Sequence, residues 1–295
     1  MGIKNLIKNL NEIVIGNDDK IHLALSAIFA GGSILLEDKP GTGKTTFAKA
    51  LANYLNLDFK RIQFTSDMLP SDINGFVKYI NNEPHFQKGP IFSNIILADE
   101  LNRGNPKCQS AFMEAMEEKS VTIDGSTHYL PQPFFVIATQ NPTEQVGTYP
   151  LPESQLDRFM ISFSMNALNH EQEKLILKQK TNSILKKPDS MDVANIMKAV
   201  DEVECNDAVV QYIQDLTLQT QKIKFETILS TRTLLYTVQI SKALAHIQDQ
   251  KYVTFDEVQK TFPFVLKHRI KNIDFGVDIV GYINKEIIEK VNVPR

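Results

Sequence analysis

A lysine and a threonine stand where an apolar run passes into an amphipathic segment, in the stretch SILLEDKPGTGKTTFAKALA. The backbone N–H groups of such a loop and of the following helix can surround phosphates, and glycine lets the backbone approach them closely. Lys44 would reach the β- and γ-phosphates of ATP, and the Thr45 hydroxyl would bind Mg²⁺. The predicted phosphate loop consists of Pro40, Gly41, Thr42, Gly43, Lys44, Thr45 and Thr46.

The loop departs from the strict pattern GxxxxGK[ST] because Asp38 occupies the first glycine position. That position lies at the exit of a predicted strand, where a side chain can point away from the phosphates. Asp38 is therefore either tolerated or weakens nucleotide affinity. A chance GKT in an unrelated loop is the other interpretation, and the strand before it and the helix after it argue against that.

An acidic pair, Asp99 and Glu100, ends a second apolar run in NIILADELN. About fifty residues after a phosphate loop, Asp99 would hold Mg²⁺ and Glu100 would polarise the attacking water. The alternative for Glu100 is a helix cap or a surface acid.

A third apolar run, FFVIATQNP, is followed by Asn141. An asparagine at a strand end near the γ-phosphate can orient the attacking water. Asn-Pro is also a common turn, so the residue alone leaves both interpretations open.

Two arginines are further candidates. Arg158, in GTYPLPESQLDRFM, follows a predicted short helix and precedes an apolar strand. Its guanidinium could stabilise the charge on a neighbouring subunit's γ-phosphate; the alternative is a surface salt bridge with Asp157. Arg232, in ILSTRTLL, begins a predicted helix, and its alternative is an ordinary surface arginine.

Composition is that of a globular domain protein, with 42% hydrophobic and 23% charged residues among 295. The 32 basic and 35 acidic residues give a formal charge of −3, which indicates no general attraction to nucleic acid or anionic lipid. Cys108 and Cys205 form no CxxC pair, which predicts free thiols. No secretory signal or membrane-spanning run is recognisable, so we expect a cytoplasmic protein.

Short apolar runs alternate with amphipathic segments up to about residue 165, which predicts a parallel sheet flanked by helices. Two hairpins interrupt this α/β core: VTIDGSTHYL, centred on Asp124-Gly125, and the weaker case FVKYINNEPHF, centred on Asn81-Asn82. The five predicted core strands are residues 33–37, 59–64, 94–99, 134–139 and 160–165.

Beyond residue 167 only helical periodicity is visible, with a loop around Pro188. The predicted helices are residues 170–181, 191–200, 207–221, 233–248 and 255–268. We therefore predict an α/β nucleotide-binding core over residues 1–166 and an all-α lid domain over residues 167–295.

Taken together, the chain resembles the MoxR family of AAA+ ATPases over most of its length. The resemblance rests on FTSDMLPSDINGF, KGPIFSNIILADELNR, QSAFMEAMEEKSVTIDG, ATQNPTEQVGTYPLPESQLDRF and FPFVLKHRI. The segment GTYPLPESQLDRF is highly specific. Departures from the family are Asp38 for glycine, Leu101 for the commoner isoleucine and Ser154 for alanine, and only Asp38 touches the chemistry.

The resemblance implies an AAA+ core with hairpin inserts, a helical lid and a homo-oligomeric ring, usually hexameric, that uses ATP and Mg²⁺. It assigns Lys44 and Thr45 to Walker A, Asp99 and Glu100 to Walker B, Asn141 to sensor 1, Arg158 to the arginine finger and Arg232 to sensor 2. The segment VIGN, with Ile15 and Gly16, matches the stretch that lines the adenine pocket in similar proteins.

Three functions remain in competition. A MoxR-like chaperone ATPase would remodel or activate a client protein, with metal or cofactor insertion as one outcome. It would work beside a separate protein bearing a von Willebrand factor A domain. A nucleic-acid motor is disfavoured because VTIDGSTHYL carries no Lys or Arg and FVKYINNEPHF carries only Lys78. A chelatase subunit acting on a tetrapyrrole complex is disfavoured by the GTYPLPE signature.

Overall fold

The computed structural model describes residues 2–37, 41–140, 147–178, 191–271 and 278–294. Asp38, Pro40, Asn141 and the predicted loop around Pro188 lie outside the described residues.

The described residues contain a five-stranded sheet and two hairpins. The sheet has the strand order β2-β5-β8-β1-β9, and β5 pairs in parallel with both β2 and β8. β5 is buried along its whole length and β8 at all but its last residue, which is why both have continuous apolar sequences. The strands are β1 Ile34–Glu37, β2 Phe59–Gln63, β3 Gly75–Ile80, β4 Glu83–Lys88, β5 Ile95–Asp99, β6 Ser120–Ile123, β7 Ser126–Tyr129, β8 Phe135–Gln140 and β9 Ile161–Phe163.

All five predicted core strands are present. Four of them differ from the predicted bounds by one residue at one or both ends, and the fifth is shorter, Ile161–Phe163. Differences of this size are usual at strand ends, where pairing frays. The predicted fold class, an AAA+ α/β core with a parallel sheet, hairpin inserts and a helical lid, is confirmed.

Both predicted hairpins form through two-residue turns. Asn81 and Asn82 have φ of 52° and 65°, and Asp124 and Gly125 have φ of 48° and 80°. Two left-handed residues in succession match the right-handed twist of the paired strands. β4 continues to Lys88, so the first hairpin carries a second lysine that the predicted boundary at Phe86 left out.

The predicted helices are present, although residues 179–181 of the first lid helix lie outside the described residues. Two short helices were missed: α4, a single turn, and α12, which contains Gly281. In the second half the described residues contain two isolated β-bridges, Glu204 with Tyr252 and Thr227 with Ile270, and no longer strand after β9. The helices are α1 Ile3–Ile13, α2 Asp18–Phe29, α3 Lys44–Leu55, α4 Pro70–Asn74, α5 Pro106–Glu118, α6 Glu153–Leu156, α7 His170–Lys178, α8 Val193–Asp201, α9 Asp207–Thr220, α10 Thr231–Ile247, α11 Phe255–Leu266 and α12 Ile279–Glu286.

Side-chain caps fix where the lid helices begin. The Ser230 hydroxyl accepts a hydrogen bond from the backbone N–H of Arg232 at 3.1 Å and so starts α10. Thr254 starts α11, and the Glu257 carboxylate accepts from the Thr254 backbone N–H at 2.8 Å, which completes a capping box. These caps place Arg232 in the first turn of α10.

Contacts divide the chain into two compact units, each drawn from three stretches. The first comprises Met1–Asp18, Leu35–Leu151 and Ser164–Met191, and the second comprises Asp19–Ile34, Pro152–Phe163 and Asp192–Arg295. This division differs from the sequence boundary after residue 166, which stays a prediction. Cys108 and Cys205 are free thiols, as predicted. Within the described residues, no helix has the length and apolar character needed to cross a bilayer.

Candidate nucleotide-binding site

The loop before α3 has the geometry of a phosphate cradle. Gly41 and Gly43 have φ of 88° and 87°, a left-handed conformation that residues with a Cβ rarely adopt. A Cβ built on either glycine would meet nothing within 4 Å, so the backbone conformation, and not space, requires glycine here. α3 begins at Lys44, and its first N–H groups therefore face the loop's concave side, where an anion is favoured.

The phosphate loop and the acidic strand end share one cleft of about 400 Å³. Both lie in the first compact unit. The cleft therefore joins the predicted Walker A and Walker B residues, which are far apart in sequence. Its lining residues are Gly41, Thr42, Gly43, Lys44, Thr45, Thr46, Arg61, Asp99 and Glu100.

Asp99 is held rigidly at the end of β5. Its side chain is buried, and Oδ1 accepts a hydrogen bond from the Thr139 hydroxyl at 2.7 Å. Oδ2 accepts two hydrogen bonds from Arg61, one from Nε at 3.0 Å and one from Nη2 at 2.6 Å. Both carboxylate oxygens thus have protein donors, and the arginine balances the charge.

Glu100 follows Asp99 in a left-handed conformation, with φ of 54°. Few residues other than glycine and asparagine adopt this backbone, and such outliers concentrate at functional sites. The Glu100 Oε2 accepts from Gln63 Nε2 at 2.9 Å and from Arg103 Nη1 at 3.0 Å. The Glu100 backbone N–H donates to the Thr139 hydroxyl at 2.8 Å, so one hydroxyl orients both acidic residues.

Strand β2 supplies two of the side chains that contact the acidic pair. Gln63 is directly paired with Asp99 in the parallel register of β2 and β5. Arg61 lies two residues earlier and so shares a face of the strand with Gln63. One face of β2 therefore reaches Asp99 through Arg61 and Glu100 through Gln63.

The cleft fits a nucleotide-bound magnesium ion. Mg²⁺ prefers oxygen ligands and commonly takes one or two from protein and the rest from phosphates and water. The Thr45 hydroxyl and the Asp99 carboxylate line the same cleft. Within the described residues, no three His, Cys, Asp or Glu side chains gather into an all-protein metal cage. The Thr45 hydroxyl and the Asp99 carboxylate are oxygen donors of the kind that a phosphate-bound Mg²⁺ accepts.

The predicted adenine segment is anchored within the first unit. The Gly16 carbonyl accepts from Asn166 Nδ2 at 3.0 Å, and the Asn17 Oδ1 accepts from the Asn166 backbone N–H at 2.8 Å. Ile15 and Gly16 are not among the described residues that line the phosphate cleft. Their role toward adenine stays a prediction.

Arg158 and Arg232 lie in the second unit, beside the same aspartate. Asp157, which precedes Arg158, is buried and does not lie at the surface. The Asp157 Oδ2 lies 3.6 Å from Nη1 of Arg232 and also accepts from the Ser230 hydroxyl at 2.9 Å. Arg158 itself sits between α6 and β9, as predicted. The finger and sensor roles of these arginines stay predictions.

Sequence reasoning missed Arg61, Gln63 and Thr139. From Arg61 to Phe64 polar residues alternate with apolar ones, which indicates a strand with one polar face but does not say what that face contacts. Thr139 was included in a predicted strand only as its last residue. The signal that could have found Thr139 is its position at the end of a predicted strand, because the carboxyl ends of parallel strands lie at one edge of the sheet.

The sheet order, the phosphate loop and the paired acidic residues define an AAA+ ATPase. Residues 33–161 match the ATPase family associated with various cellular activities (AAA), and residues 219–289 match the AAA lid domain. The crystal structure of a Cytophaga hutchinsonii protein assigned as an ATPase is similar, with a TM-score of 0.88 and 36% identity. That similarity covers 99% of this chain and 95% of the other.

Two relatives specify the family. YeaC of Bacillus subtilis strain 168, an uncharacterised protein, is 40% identical over 98% of this chain and 93% of its own length. Chaperone MoxR1 of Mycobacterium tuberculosis is 32% identical over 91% of this chain and 75% of its own length. The chain belongs to the MoxR family of AAA+ ATPases.

Proposed function

We propose that the protein hydrolyses ATP with Mg²⁺ in a homo-oligomeric ring and uses the energy to remodel or activate a client protein. The observation that carries the proposal is the single cleft that contains Lys44, Thr45, Asp99 and Glu100. A phosphate cradle and an acidic pair in one site are the parts that ATP hydrolysis requires.

The phosphate loop would bind the nucleotide. The amides of residues 41–46 and the Lys44 ammonium would hold the β- and γ-phosphates, because both present positive charge to an anion. Thr45 and Asp99 would hold Mg²⁺, which supplies charge neutralisation on the phosphates. Arg61 must then release Asp99 Oδ2 or share it, since it already donates to that oxygen twice.

Glu100 would act as the general base in hydrolysis. Its carboxylate would polarise the attacking water and accept its proton. The contacts to Gln63 and Arg103 fix the carboxylate at the cleft wall before substrate arrives. Asn141, which follows β8 in the sequence, would orient the same water. Preset positions of this kind are effective because the reacting atoms lose little further freedom.

The ring would complete the site. Arg158 would stabilise transition-state charge on the γ-phosphate of a neighbouring subunit, and Arg232 would contact phosphate from the lid. Each active site then combines residues of two subunits. We propose a hexamer, as in the usual AAA+ ring, with the core over residues 1–166 and the lid over residues 167–295.

The client-directed role rests on the family. The similarity to Chaperone MoxR1 supports a chaperone ATPase over a nucleic-acid motor or a chelatase subunit. A separate protein with a von Willebrand factor A domain is the proposed partner, and the cytoplasm the proposed compartment. Metal or cofactor insertion into the client is one form that the activity would take.

Two variants test the ATPase proposal. Lys44→Ala should abolish nucleotide binding, and Glu100→Gln should retain binding and lose turnover. Calorimetry with ATP and a phosphate-release assay measure the two properties separately. Unchanged affinity in Lys44→Ala would remove the phosphate-loop assignment. Affinity capture of bound proteins with Glu100→Gln held in its ATP state would then identify the client.

A further inference from the structure

Three consecutive peptide carbonyls around Arg158 are held by side chains of the second unit. The Nη2 of Arg269 donates to the carbonyl of Asp157 at 3.0 Å and to that of Phe159 at 2.9 Å. The Tyr236 hydroxyl donates to the carbonyl of Arg158 itself at 3.3 Å. The backbone that carries Arg158 is therefore fixed on both sides and at its centre.

Arg269 makes these contacts from a fully buried position, with 0% of its side chain exposed. Its Nε donates to Oδ1 of Asp157 at 3.2 Å, and its Nη1 donates to the carbonyl of Val265. Burial lowers its pKa, and the carboxylate of Asp157 opposes that shift. A buried ion pair is seldom better for stability than apolar packing. Its advantage is the fixed geometry that a planar guanidinium imposes on several acceptors at once.

Asp157 connects this cluster to the other candidate arginine. The two oxygens of its carboxylate each lie 2.9 Å from the Ser230 hydroxyl, which caps α10. Oδ2 also lies 3.6 Å from Nη1 of Arg232. One carboxylate thus joins the Arg158 backbone, Arg269 and the first turn of the helix that carries Arg232.

We propose that Arg269 is a positioning residue for Arg158 and that Tyr236 contributes to the same positioning. Both would act on catalysis by fixing the Arg158 backbone. The inference rests on the proposed role of Arg158 as an arginine finger. An arginine finger works only when its guanidinium meets the transferring phosphate, and a displacement of about 1 Å can cost on the order of 100-fold in rate. The hydrogen bonds of Arg269 and Tyr236 to these carbonyls, here called the clamp, fix the position of the Arg158 backbone before a neighbouring subunit binds.

Arg269→Lys and Tyr236→Phe test the inference in the full-length protein. Arg269→Lys keeps a charge beside Asp157, but the three donors on its one nitrogen cannot make all four contacts to Asp157, Val265 and the two carbonyls, and we expect kcat to fall on the order of 100-fold. Tyr236→Phe removes only the hydroxyl and should lower kcat about threefold to tenfold. Tyr212→Phe is the matched control, because its buried hydroxyl, also in this unit, accepts from Gln259 Nε2 at 3.0 Å and not from this cluster. We expect it to retain the wild-type kcat.

Turnover is divided by the number of nucleotides bound per chain, so a loss of folded protein does not register as a loss of kcat. The affinity for a fluorescent ATP analogue should be unchanged in both variants. In an Arg158→Ala background the same substitutions should cause no further loss, since there is no guanidinium left to position.

Three results would overturn the inference. Turnover per bound nucleotide that stays at the wild-type value in both variants would show that the clamp does not act on catalysis. Equal losses with and without Arg158 would show that it acts through another residue. If Arg158→Ala alone keeps wild-type turnover, the finger assignment fails and the positioning role fails with it. An inactive Arg158→Ala beside an active Arg269→Lys and Tyr236→Phe would reject the positioning role only.

Discussion

Arg61 donates two hydrogen bonds to one oxygen of Asp99, with Nε at 3.0 Å and Nη2 at 2.6 Å from Oδ2. That carboxylate is the proposed protein ligand of Mg²⁺. A cation from the protein therefore already contacts the group that a metal cation would need. In the proposed site the two positive charges would compete for Asp99, and this competition would set the Mg²⁺ concentration that nucleotide binding requires.

Arg61→Gln should lower the Mg²⁺ concentration that gives half-maximal binding of a fluorescent ATP analogue. The expected change is about twofold to fivefold, because a half-exposed ion pair contributes about 0.2–1 kcal/mol. Arg103→Gln is the control, since Arg103 contacts Glu100. A Mg²⁺ requirement that rises in Arg61→Gln would show that Arg61 supports the bound nucleotide instead.

Thr139→Val should reduce both turnover and stability. The valine removes the hydroxyl that donates to Asp99 at 2.7 Å and accepts from the Glu100 backbone N–H at 2.8 Å. A buried donor without a partner costs about 1–3 kcal/mol, which chemical denaturation can measure. Thr139→Ser keeps the hydroxyl and should remain near wild type. Thr122→Val, at an exposed hairpin position, controls for loss of a hydroxyl in general. A fully active Thr139→Val would mean that the acidic pair is oriented without this hydroxyl.

Mixing two inactive variants tests whether the active site is shared. Arg158→Ala should bind ATP but lose on the order of 10³-fold or more in rate, and Glu100→Gln should also be inactive. A mixed ring contains interfaces with an intact Glu100 from one subunit and an intact Arg158 from the other, so activity should return. If mass spectrometry confirms mixed rings and no activity returns, Arg158 does not act across the interface.

His268 should make stability depend on pH. Its pKa lies well below the ordinary 6.5, first because of burial and next because of the positive Arg269, with a smaller effect of Lys267 in the same direction. The folded protein therefore keeps the ring neutral, and its stabilising contribution is complete above pH 6.5. It is lost as the pH falls below that value, because the unfolded chain takes up the proton.

Denaturant titrations at pH 5 to 7.5 measure this effect. One proton taken up by the unfolded chain lowers the unfolding free energy by at most about 1.4 kcal/mol per pH unit. His268→Gln should show a shallower decline than wild type below pH 6.5. His170→Gln, at a 98% exposed side chain, controls for loss of a surface histidine. Parallel curves for wild type and His268→Gln would contradict the prediction.

DNA should not stimulate the ATPase. The hairpin β6–β7 has no Lys or Arg, and the two lysines of β3–β4 are engaged, Lys78 with Gln87 Oε1 at 3.1 Å and Lys88 over the Phe92 ring at 5.3 Å. Tracking along a strand requires contacts to several phosphates, which makes binding strongly salt-dependent. Phosphate release with single- and double-stranded DNA at low salt is the measurement. Stimulation that disappears as salt rises would favour a nucleic-acid motor.

The sequence was sufficient for most of the fold, and for a physical reason. Strands β5 and β8 are buried on both faces and so have unbroken apolar runs, and the hairpin turns contain residues that tolerate a left-handed backbone. Asp99 and Glu100 were identifiable because they follow such a run at a suitable distance from a phosphate loop. Elements with short or interrupted periodicity, such as α4 and α12, gave no comparable signal.

The contacts that tune the site were not predictable in the same way. Arg61 and Asp99 are 38 residues apart, and Arg269 and Asp157 are 112 apart. Nothing local distinguishes a buried arginine from a surface one, and arginine is almost never fully buried unless it is paired. Such pairs become visible only when the strand register and the helix packing are known.

The second compact unit takes two of its three stretches, Asp19–Ile34 and Pro152–Phe163, from the first 163 residues of the chain. A single cut of the polypeptide therefore cannot release it whole. A fragment of residues 167–295 would lack α2 and both Asp157 and Phe159, leaving Arg269 without its carboxylate partner. Arg269 is synthesised more than a hundred residues after Arg158, so the clamp cannot form until then. The geometry of the proposed finger is thus completed only after Arg269 has been synthesised.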